Sequence, residues 1–208
     1  MLMTDFNWRR YGLVAGTAPV VVIILVTAGL APLIVPYSPY DLDVMVMLQG
    51  PTASHLMGTD ELGRDVLSRV IHAARLSITV GLVAVLIGSF CGTIVGIIAA
   101  HFGGLVDAIL MRFMDIVFCF PAILLAVILM ANLGTSILNA MLAIGIIFIP
   151  GFARLTRAVA QTVQRQSFLE AAICLGMPGY RIVFREILPN VIGPVLVEAA
   201  VAFSYAVL

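Results

Sequence analysis

Long runs without a single charged residue are the feature that most constrains how this chain can fold. Tyr11–Val35 and Leu76–Ala100 are each 25 residues long and contain no charged side chain. A helix of about 20 apolar residues is long enough to cross the hydrocarbon core of a bilayer. The 208 residues are 62% hydrophobic, which is more apolar surface than a water-soluble domain of this size can bury. The sequence therefore predicts an all-α fold, a polytopic membrane helix bundle that lies in a lipid bilayer.

Three further apolar segments raise the predicted number of spans to five. Pro121 interrupts the third span, and Glu198 lies inside the fifth. The five predicted spans are Tyr11–Val35, Leu76–Ala100, Phe113–Leu133, Ile137–Ala153 and Val191–Leu208. We accordingly divide the chain into an N-terminal region, residues 1–75, with the first span and an external loop, and a transmembrane domain, residues 76–208.

The distribution of arginine predicts the orientation of these spans, since all 11 basic residues of the chain are arginine. Basic residues collect in the cytoplasmic loops of membrane proteins. Two arginines precede the first span and five lie between the fourth and the fifth, whereas residues 36–74 hold five acidic residues and two arginines. We therefore expect the N-terminus and residues 154–190 in the cytoplasm, and residues 36–74 on the outer side of the membrane.

A polar stretch, residues 170–190 (EAAICLGMPGYRIVFREILPN), precedes the fifth span. Phe168–Leu175 favours a helix, and residues 176–179 break it, because glycine permits a left-handed cap and proline cannot continue a helix. In the second predicted helix, which Pro189 ends, apolar side chains form one stripe at helical spacing. The stripe consists of Tyr180, Val183, Phe184 and Ile187. From the residues alone, an amphipathic loop on the membrane surface is an equal alternative to a site for a protein partner.

The same stretch resembles the EAA loop of binding-protein-dependent ABC transporter permeases. The residues that carry the resemblance are Glu170, Ala171, Ala172, Gly176, Leu188 and Pro189. In that family the loop is a cytoplasmic coupling helix that docks into a groove on the ATP-hydrolysing subunit, a mode of contact that suits a short amphipathic element. The sequence departs from the family pattern at Glu186, where an aliphatic residue is common. The resemblance implies that these six residues couple the spans to ATP hydrolysis.

A second motif, residues 55–69, has the sequence HLMGTDELGRDVLSR. It resembles the HxLGTDxxGRDxxSR signature of the dipeptide, oligopeptide and nickel permeases, and in particular the C-type subunit of their permease pair. Met57 stands where the signature has leucine. Asp60 can cap a helix that runs through Ala74, and Asp65 can pair with Arg69 one helical turn later. The residues themselves predict an interfacial helix that leads into the second span.

The two resemblances together imply a permease subunit of an ABC importer that carries di- or oligopeptides across the bacterial inner membrane. The implied partners are a second homologous permease subunit, two ATP-binding subunits, a periplasmic solute-binding protein and the peptide substrate. Nickel is the alternative substrate within the family, and a secondary transporter or a non-transport membrane scaffold is the alternative outside it. Subunits of this family usually have a sixth helix, so the resemblance also implies that the chain is a truncated form.

Several classes of function lack the residues that they require. A Walker A loop needs a lysine, and the chain has none. The GxSxG and HExxH motifs of hydrolases are absent from the sequence as well. We therefore expect no enzyme activity, no catalytic residue and no cofactor, with ATP hydrolysis left to separate subunits. The net charge of zero does not favour nucleic acid as a partner.

The remaining chemistry-bearing residues are dispersed along the chain. The cysteines and histidines show no metal-binding spacing, so we expect no metal site; they are Cys91, Cys119, Cys174, His55, His72 and His101. Glu198 is the only charged residue inside the fifth span. A charged side chain that faces lipid at the centre of the bilayer costs about 3 kcal/mol. We therefore expect Glu198 to face the helix bundle or a transport pathway.

Overall fold

The computed structural model describes Pro19, Val22 and residues 26–207, and the regular structure in this part of the chain is helical. A short 3-10 turn covers Val44–Val46, and an isolated antiparallel bridge joins Thr59 to Asp65. The helices are α1 (Ala31–Ile34), α2 (Val66–Phe102), α3 (Gly104–Cys119), α4 (Ala122–Leu133), α5 (Ile137–Gln164), α6 (Ser167–Cys174) and α7 (Gly179–Val207). The predicted all-α fold is confirmed for these residues.

Among the described residues, three helices are long and apolar enough to cross a membrane, namely α2, α5 and α7. They contain the second and fourth predicted spans and, up to Val207, the fifth. α3 and α4 provide a fourth span only if the two helices cross the membrane together. The first predicted span, Tyr11–Val35, falls mainly outside the described residues. The count of five spans and their orientation therefore stay predictions.

The third predicted span is not a continuous helix, because α3 and α4 meet at an angle of 92°. The break lies at Phe120 and Pro121. Phe120 is extended, with ψ of 134°, as is usual for the residue before a proline. Proline also removes a donor from the helical ladder. The predicted interruption at Pro121 is thus confirmed, and it turns the segment through a right angle.

Contacts within the chain define two compact units, one ending at Ile78 and the other beginning at Thr79. In the second unit α5 is the central element, since α3, α4, α6 and α7 all pack against it. Its contacts with α6 and α7 bury two clusters of apolar side chains. One cluster contains Ala160, Val163, Leu169, Ile187 and Val191, and the other contains Val85, Phe152 and Ala202.

The part of α2 in this second unit approaches α5 through glycines at every fourth position. A Cβ atom built on Gly92 would lie 2.5 Å from the Cβ atom of Phe152, and Cβ atoms on Gly88 and Gly96 would lie 2.6 Å from atoms of α5. Lipid chains are as apolar as the side chains that they surround, so helices in a membrane gain most from close van der Waals contact, and small residues permit it. The three glycines therefore set the distance between the two helices.

Two ion pairs attach α3 to α5. Arg157 donates from two of its guanidinium nitrogens to the two carboxylate oxygens of Asp107, each at 2.5 Å. Arg154 donates to Asp115 at 2.8 Å, and its guanidinium lies 4.4 Å from the ring centre of Phe118. A bidentate pair fixes the relative orientation of its two side chains as well as their distance. The arginines that indicated orientation in the sequence thus also hold two helices together.

α7 runs through Pro189, so the prediction that this proline ends a helix is wrong. A π turn covers Ile182–Ile187, and the N–H of Leu188 donates to the carbonyl oxygen of Val183, five residues earlier. Proline has no N–H to donate, so a helix tolerates it best where the regular hydrogen-bond ladder is already rearranged. The π turn provides that rearrangement immediately before Pro189, and the helix continues.

The π turn also changes which side chains of α7 face inward. Ile182 and Ile187, five residues apart, are buried, whereas Tyr180 and Phe184 are exposed. The predicted stripe assumed the spacing of a regular α-helix. The π turn divides this stripe, so that Ile187 is buried within the chain while Tyr180 and Phe184 are exposed.

We predict that Gly92→Ala destabilises the chain although alanine favours a helix. Its Cβ atom would overlap Phe152, and overpacking of a tight contact typically costs about 1–3 kcal/mol. Gly151→Ala is the matched control, because it changes a glycine of α5 whose added Cβ atom would meet nothing within 4 Å. Thermal unfolding in detergent should show a lower midpoint for Gly92→Ala and an unchanged or higher one for Gly151→Ala. Equal midpoints for the two variants would contradict the close contact.

Candidate functional site

The polar stretch of the sequence forms α6 and the first turns of α7, and α6 is anchored to the end of α5. Leu169 is fully buried and packs in the same cluster as Ala160 and Val163 of α5. Ile187 of α7 completes this cluster from the other side. One leucine thus fixes a helix of eight residues that is too short to be stable alone.

The end of α6 is closed by a Schellman motif around Gly176. The N–H of Gly176 donates to the carbonyl oxygen of Ile173 at 2.9 Å, and the N–H of Met177 donates to that of Ala172 at 3.1 Å. Gly176 has φ of +78°, the left-handed conformation that this motif requires. A Cβ atom on Gly176 would meet nothing within 4 Å. The need for glycine therefore lies in the backbone, as the sequence predicted.

The outer side of this segment combines apolar and charged side chains. Leu175, at the end of α6, is 88% exposed. The other exposed large side chains are Phe168, Ile173, Tyr180, Phe184, Arg181 and Arg185. An exposed apolar surface with a polar rim is typical of a site that contacts another molecule. The segment therefore exposes an apolar surface with a charged rim, on a base that α5 holds in place.

The six predicted coupling residues divide between the two helices. Glu170 and Ala171 are exposed on α6, with Glu170 in its first turn, where the helix dipole favours a carboxylate. Ala172 is half-buried and shares the cap with Gly176. Leu188 and Pro189 lie beyond the π turn in α7, half-buried and exposed respectively. The structure thus brings the first four residues together on α6 and its cap, and places the last two near the start of a long helix.

Glu198 lies in the middle of the membrane part of α7 and is half-buried. Helical spacing puts it on the same face as Val191 and Ala202, which are buried in the two clusters against α5. The carboxylate makes no hydrogen bond or ion pair with any residue that the structure describes. It therefore lies near the edge of the helix contact, where a partner from outside the described residues could reach it.

In the first unit, Asp60 is the centre of the second sequence motif. One carboxylate oxygen accepts from the N–H groups of Leu62 and Arg64, at 2.9 and 3.0 Å. The other oxygen accepts from Nε of Arg64 at 2.8 Å and from the guanidinium of Arg69. Burial raises the pKa of Asp60, but the hydrogen bonds to Arg64 and Leu62 outweigh it and lower the pKa to about 2. The carboxylate is thus held in its charged form.

Asp65 caps α2, and this corrects two predictions. Its carboxylate accepts from the N–H and the hydroxyl of Ser68, at 2.8 and 2.6 Å, and lies 3.1 Å from Nδ1 of His55. Burial raises the pKa of Asp65, and the bonds from Ser68 and His55 lower it further than burial raises it. The cap of the helix is therefore Asp65 and not Asp60, and Arg69 pairs with Asp60 and not with Asp65.

The remaining residues of the motif close the same loop. Thr59 is buried, accepts from the N–H of Gln49 at 3.0 Å and donates to the carbonyl oxygen of Val46. Gly58 and Gly63 have φ of +75° and +73°, a conformation that favours glycine. The motif, residues 55–69, thus folds the loop onto the start of α2. We call it the external clasp, after the side of the membrane that the arginine distribution predicts for it. We predicted only its helical part, because the bonds to Val46 and Gln49 have no signal in local spacing.

The part of the chain that the structure describes contains no group of three or more His, Cys, Asp or Glu side chains placed to hold a metal ion. The three cysteines, Cys91, Cys119 and Cys174, are free thiols.

The sequence analysis did not predict three contacts, which are the apolar anchor at Leu169, the ion pair Asp107–Arg157 and the close approach of the α2 glycines to α5. The glycines could have been found from their spacing of four residues.

The sequence is similar to a family of transport proteins. Residues 92–208 match the family described as binding-protein-dependent transport system inner membrane component. The chain is 40% identical over 184 residues to the dipeptide transport system permease protein DppC of Alkalihalophilus pseudofirmus. The matched region covers 88% of this chain and 60% of the relative.

Two further relatives give the same picture. The di/tripeptide transport system permease protein DppC of Pseudomonas aeruginosa is 38% identical over 192 residues, which are 89% of this chain and 63% of the relative. The probable D,D-dipeptide transport system permease protein DdpC of Escherichia coli is 37% identical over 212 residues, with 99% and 71% covered. The chain spans less than two thirds of the length of the first two relatives.

The lowered pKa of Asp60 predicts how the external clasp responds to acid. Its stabilising effect should be complete above pH 3.8, the ordinary pKa, and disappear as the pH falls through about 2. Hydrogen exchange, corrected for the intrinsic effect of pH, should show the amides of Leu62 and Arg64 protected down to about pH 3. Asp60→Ala, which removes the acceptor, should lose this protection at every pH, and Asp41→Ala, whose carboxylate is outside the network, should keep it. Loss of protection near pH 4 in the unchanged chain would contradict the assignment.

Proposed function

Since the chain belongs to the family of binding-protein-dependent transport system inner membrane components, we propose that it acts as a permease subunit of an ABC importer for di- or oligopeptides. The observation that carries this proposal is the agreement among relatives, which are named for the transport of dipeptides, di/tripeptides and D,D-dipeptides. The family description places the chain in the bacterial inner membrane. The helices α2, α5 and α7 make it a multi-pass protein there.

In this proposal, transport requires partners that the chain does not contain. A second homologous permease subunit completes the pathway, two ATP-binding subunits hydrolyse ATP, and a periplasmic solute-binding protein delivers the peptide. The chain itself has no lysine for a Walker A loop. In this proposal it therefore changes conformation in response to ATP hydrolysis by the other subunits and does not hydrolyse ATP itself. ATP can drive the cycle only if the ATP-binding subunits contact the two states of the permease differently.

The segment from Glu170 to Pro189, which we call the coupling segment, is the part of the chain best suited to receive that contact. Its exposed surface, with Leu175 at the end of α6, is short and amphipathic, and such elements dock into grooves of partner proteins. The buried side chain of Leu169 ties α6 to α5. A force on α6 is therefore transmitted to α5, a helix of 28 residues. A force on the start of α7 is transmitted along α7 itself, which is also a candidate span.

Glu198 is the charged residue inside the predicted fifth span of α7. Its carboxylate is half-buried and unpartnered among the described residues, while a charged group in the membrane is stable only beside a partner or water. A place at the interface with the second permease subunit, or in the transport pathway, meets that requirement. We assign Glu198 to this interface and give it no catalytic role.

Two alternatives remain distinct from this proposal. A nickel permease of the same family would share the coupling segment and differ only in the substrate. A secondary transporter or a membrane scaffold would need no ATP-binding subunit and would have no use for the exposed surface of α6. Copurification with an ATP-binding subunit is expected for a peptide or nickel permease and not for a secondary transporter or a scaffold.

The direct test is uptake by proteoliposomes that contain the chain, its partner permease, the two ATP-binding subunits and the solute-binding protein. We expect ATP-dependent accumulation of a labelled dipeptide and no accumulation of Ni²⁺. ATP-dependent accumulation of Ni²⁺ alone would show that the substrate is nickel and not a peptide, with the ATP-driven mechanism unchanged. Accumulation of peptide that continues without ATP would contradict the proposal as a whole.

The coupling role predicts different effects for two substitutions at the same glycine. Gly176→Val forces a β-branched residue to φ of +78°, at a cost of about 1–2 kcal/mol, and should reorient α6 and reduce recovery of the ATP-binding subunit in a detergent pull-down. Gly176→Asn is the control, because asparagine adopts this conformation more readily. Both variants should insert into the membrane normally, since neither changes a span. Equal recovery with valine and asparagine would rule out a docking role that depends on this cap.

A further inference from the structure

An amphiphilic groove lies on the first unit, beside the external clasp. It has a volume of about 470 Å³ and is lined by Pro39, Tyr40, Arg64, Val66, Arg69, Val70, His72, Ala73 and Leu76. Grooves of this size commonly hold small ligands. The proposed transport function uses none of these side chains, so the groove requires a separate explanation.

One end of the groove is basic. The guanidinium groups of Arg64 and Arg69 both bind the carboxylate of Asp60, each through a single nitrogen. Two positive charges therefore face one negative charge. The other nitrogens of these two guanidinium groups bond to no residue that the structure describes, and the side chain of Arg69 is 44% exposed. The basic end thus keeps one net positive charge and several free N–H donors for an anion.

Polar groups next to the arginines extend this end. The hydroxyl of Tyr40 and Nε2 of His72 lie 3.2 Å apart and share a hydrogen bond, and the two rings stand edge to face with centres 5.7 Å apart. Tyrosine is enriched where membrane meets water, since its ring is apolar and its hydroxyl is polar. The side chains at this end are therefore of the types found at the level of lipid headgroups.

The groove also has an apolar wall on α2. It is formed by Val66, Val70, Ala73 and Leu76, and Val70 is 52% exposed. Leu76 is also the first residue of the uncharged run that continues to Ala100. The wall therefore begins beside the arginines and continues along α2 to Leu76, where the apolar part of this candidate span starts.

From this arrangement we infer that the groove binds a membrane phospholipid, with the headgroup phosphate against Arg64 and Arg69 and the start of an acyl chain along Val70 and Leu76. A phosphodiester carries one negative charge, which matches the net charge of the basic end, and arginine donors suit phosphate oxygens in number and geometry. A free anion would make no use of the apolar wall. The groove would thereby tie the external clasp to the outer surface of the bilayer.

Binding can be measured on the full chain in a neutral detergent by native mass spectrometry. The probes are dioleoylphosphatidylglycerol, dioleoylglycerol, which has the same chains and no phosphate, and inorganic phosphate. The phospholipid should bind about tenfold more tightly than the diacylglycerol, as expected for one charge-assisted phosphate contact. Equal affinity for the two lipids, or displacement of the phospholipid by an equal concentration of inorganic phosphate or of a dipeptide, would overturn the inference.

A matched pair of variants assigns the binding to this groove. Val70→Asp places a carboxylate on the exposed wall and should weaken phospholipid binding about tenfold by repulsion of the phosphate. Val70→Asn has nearly the same shape without the charge and should retain most of the affinity. Neither variant touches the Asp60 network, so the amide of Leu62 should stay protected in both. Identical phospholipid affinity for the aspartate and asparagine variants would show that the lipid binds elsewhere and would refute the proposed site.

Arg69→Gln provides a second test from the basic end. It should reduce the affinity for the phospholipid and leave the affinity for the diacylglycerol unchanged. Arg185→Gln, which removes an exposed arginine from α7, is the control for a general loss of positive charge and should have no effect. An equal loss of phospholipid binding in both arginine variants would contradict a specific site.

Discussion

The close contact between α2 and α5 is the constraint on which the second unit depends. In lipid, an apolar side chain gains little by leaving the membrane for a helix interface, so two helices must fit closely to associate. Gly88, Gly92 and Gly96 provide that fit, since a single added methyl group at any of them would overlap α5. α5 in turn carries α3 through two ion pairs and α6 through Leu169. α5 thus connects the glycine contact with α2 to the exposed surface of α6.

The two sequence motifs have different physical roles. The external clasp is a network in which Asp60 and Asp65 each accept from several donors, and its glycines are needed for a left-handed backbone. Such a motif fixes a loop. The coupling segment, by contrast, has few internal bonds beyond its cap and leaves its apolar side chains exposed. A segment of that kind is stable only on a base, which α5 provides through Leu169.

The sequence predicted features that depend on one short segment. The apolar runs predicted the helices α2, α5 and α7, Pro121 predicted a break, and Gly176 predicted a left-handed cap, because each is a local property of the chain. The π turn was not predictable in this way, and it separates buried Ile187 from exposed Tyr180 and Phe184. The pairing of Arg69 with Asp60 was also missed, since spacing alone favoured Asp65. Ion pairs between distant segments, such as Asp107 with Arg157, depend on how the helices pack.

The central claim is that the end of α6 contacts an ATP-binding subunit on the cytoplasmic side. A photoreactive amino acid at Leu175, in the assembled transporter, tests this contact directly. Met45 is the matched control position, because both side chains are 88% exposed and Met45 belongs to the segment predicted to lie outside. We predict a covalent adduct with the ATP-binding subunit from position 175 and none from position 45. An adduct from position 45, or only lipid adducts from position 175, would contradict the account.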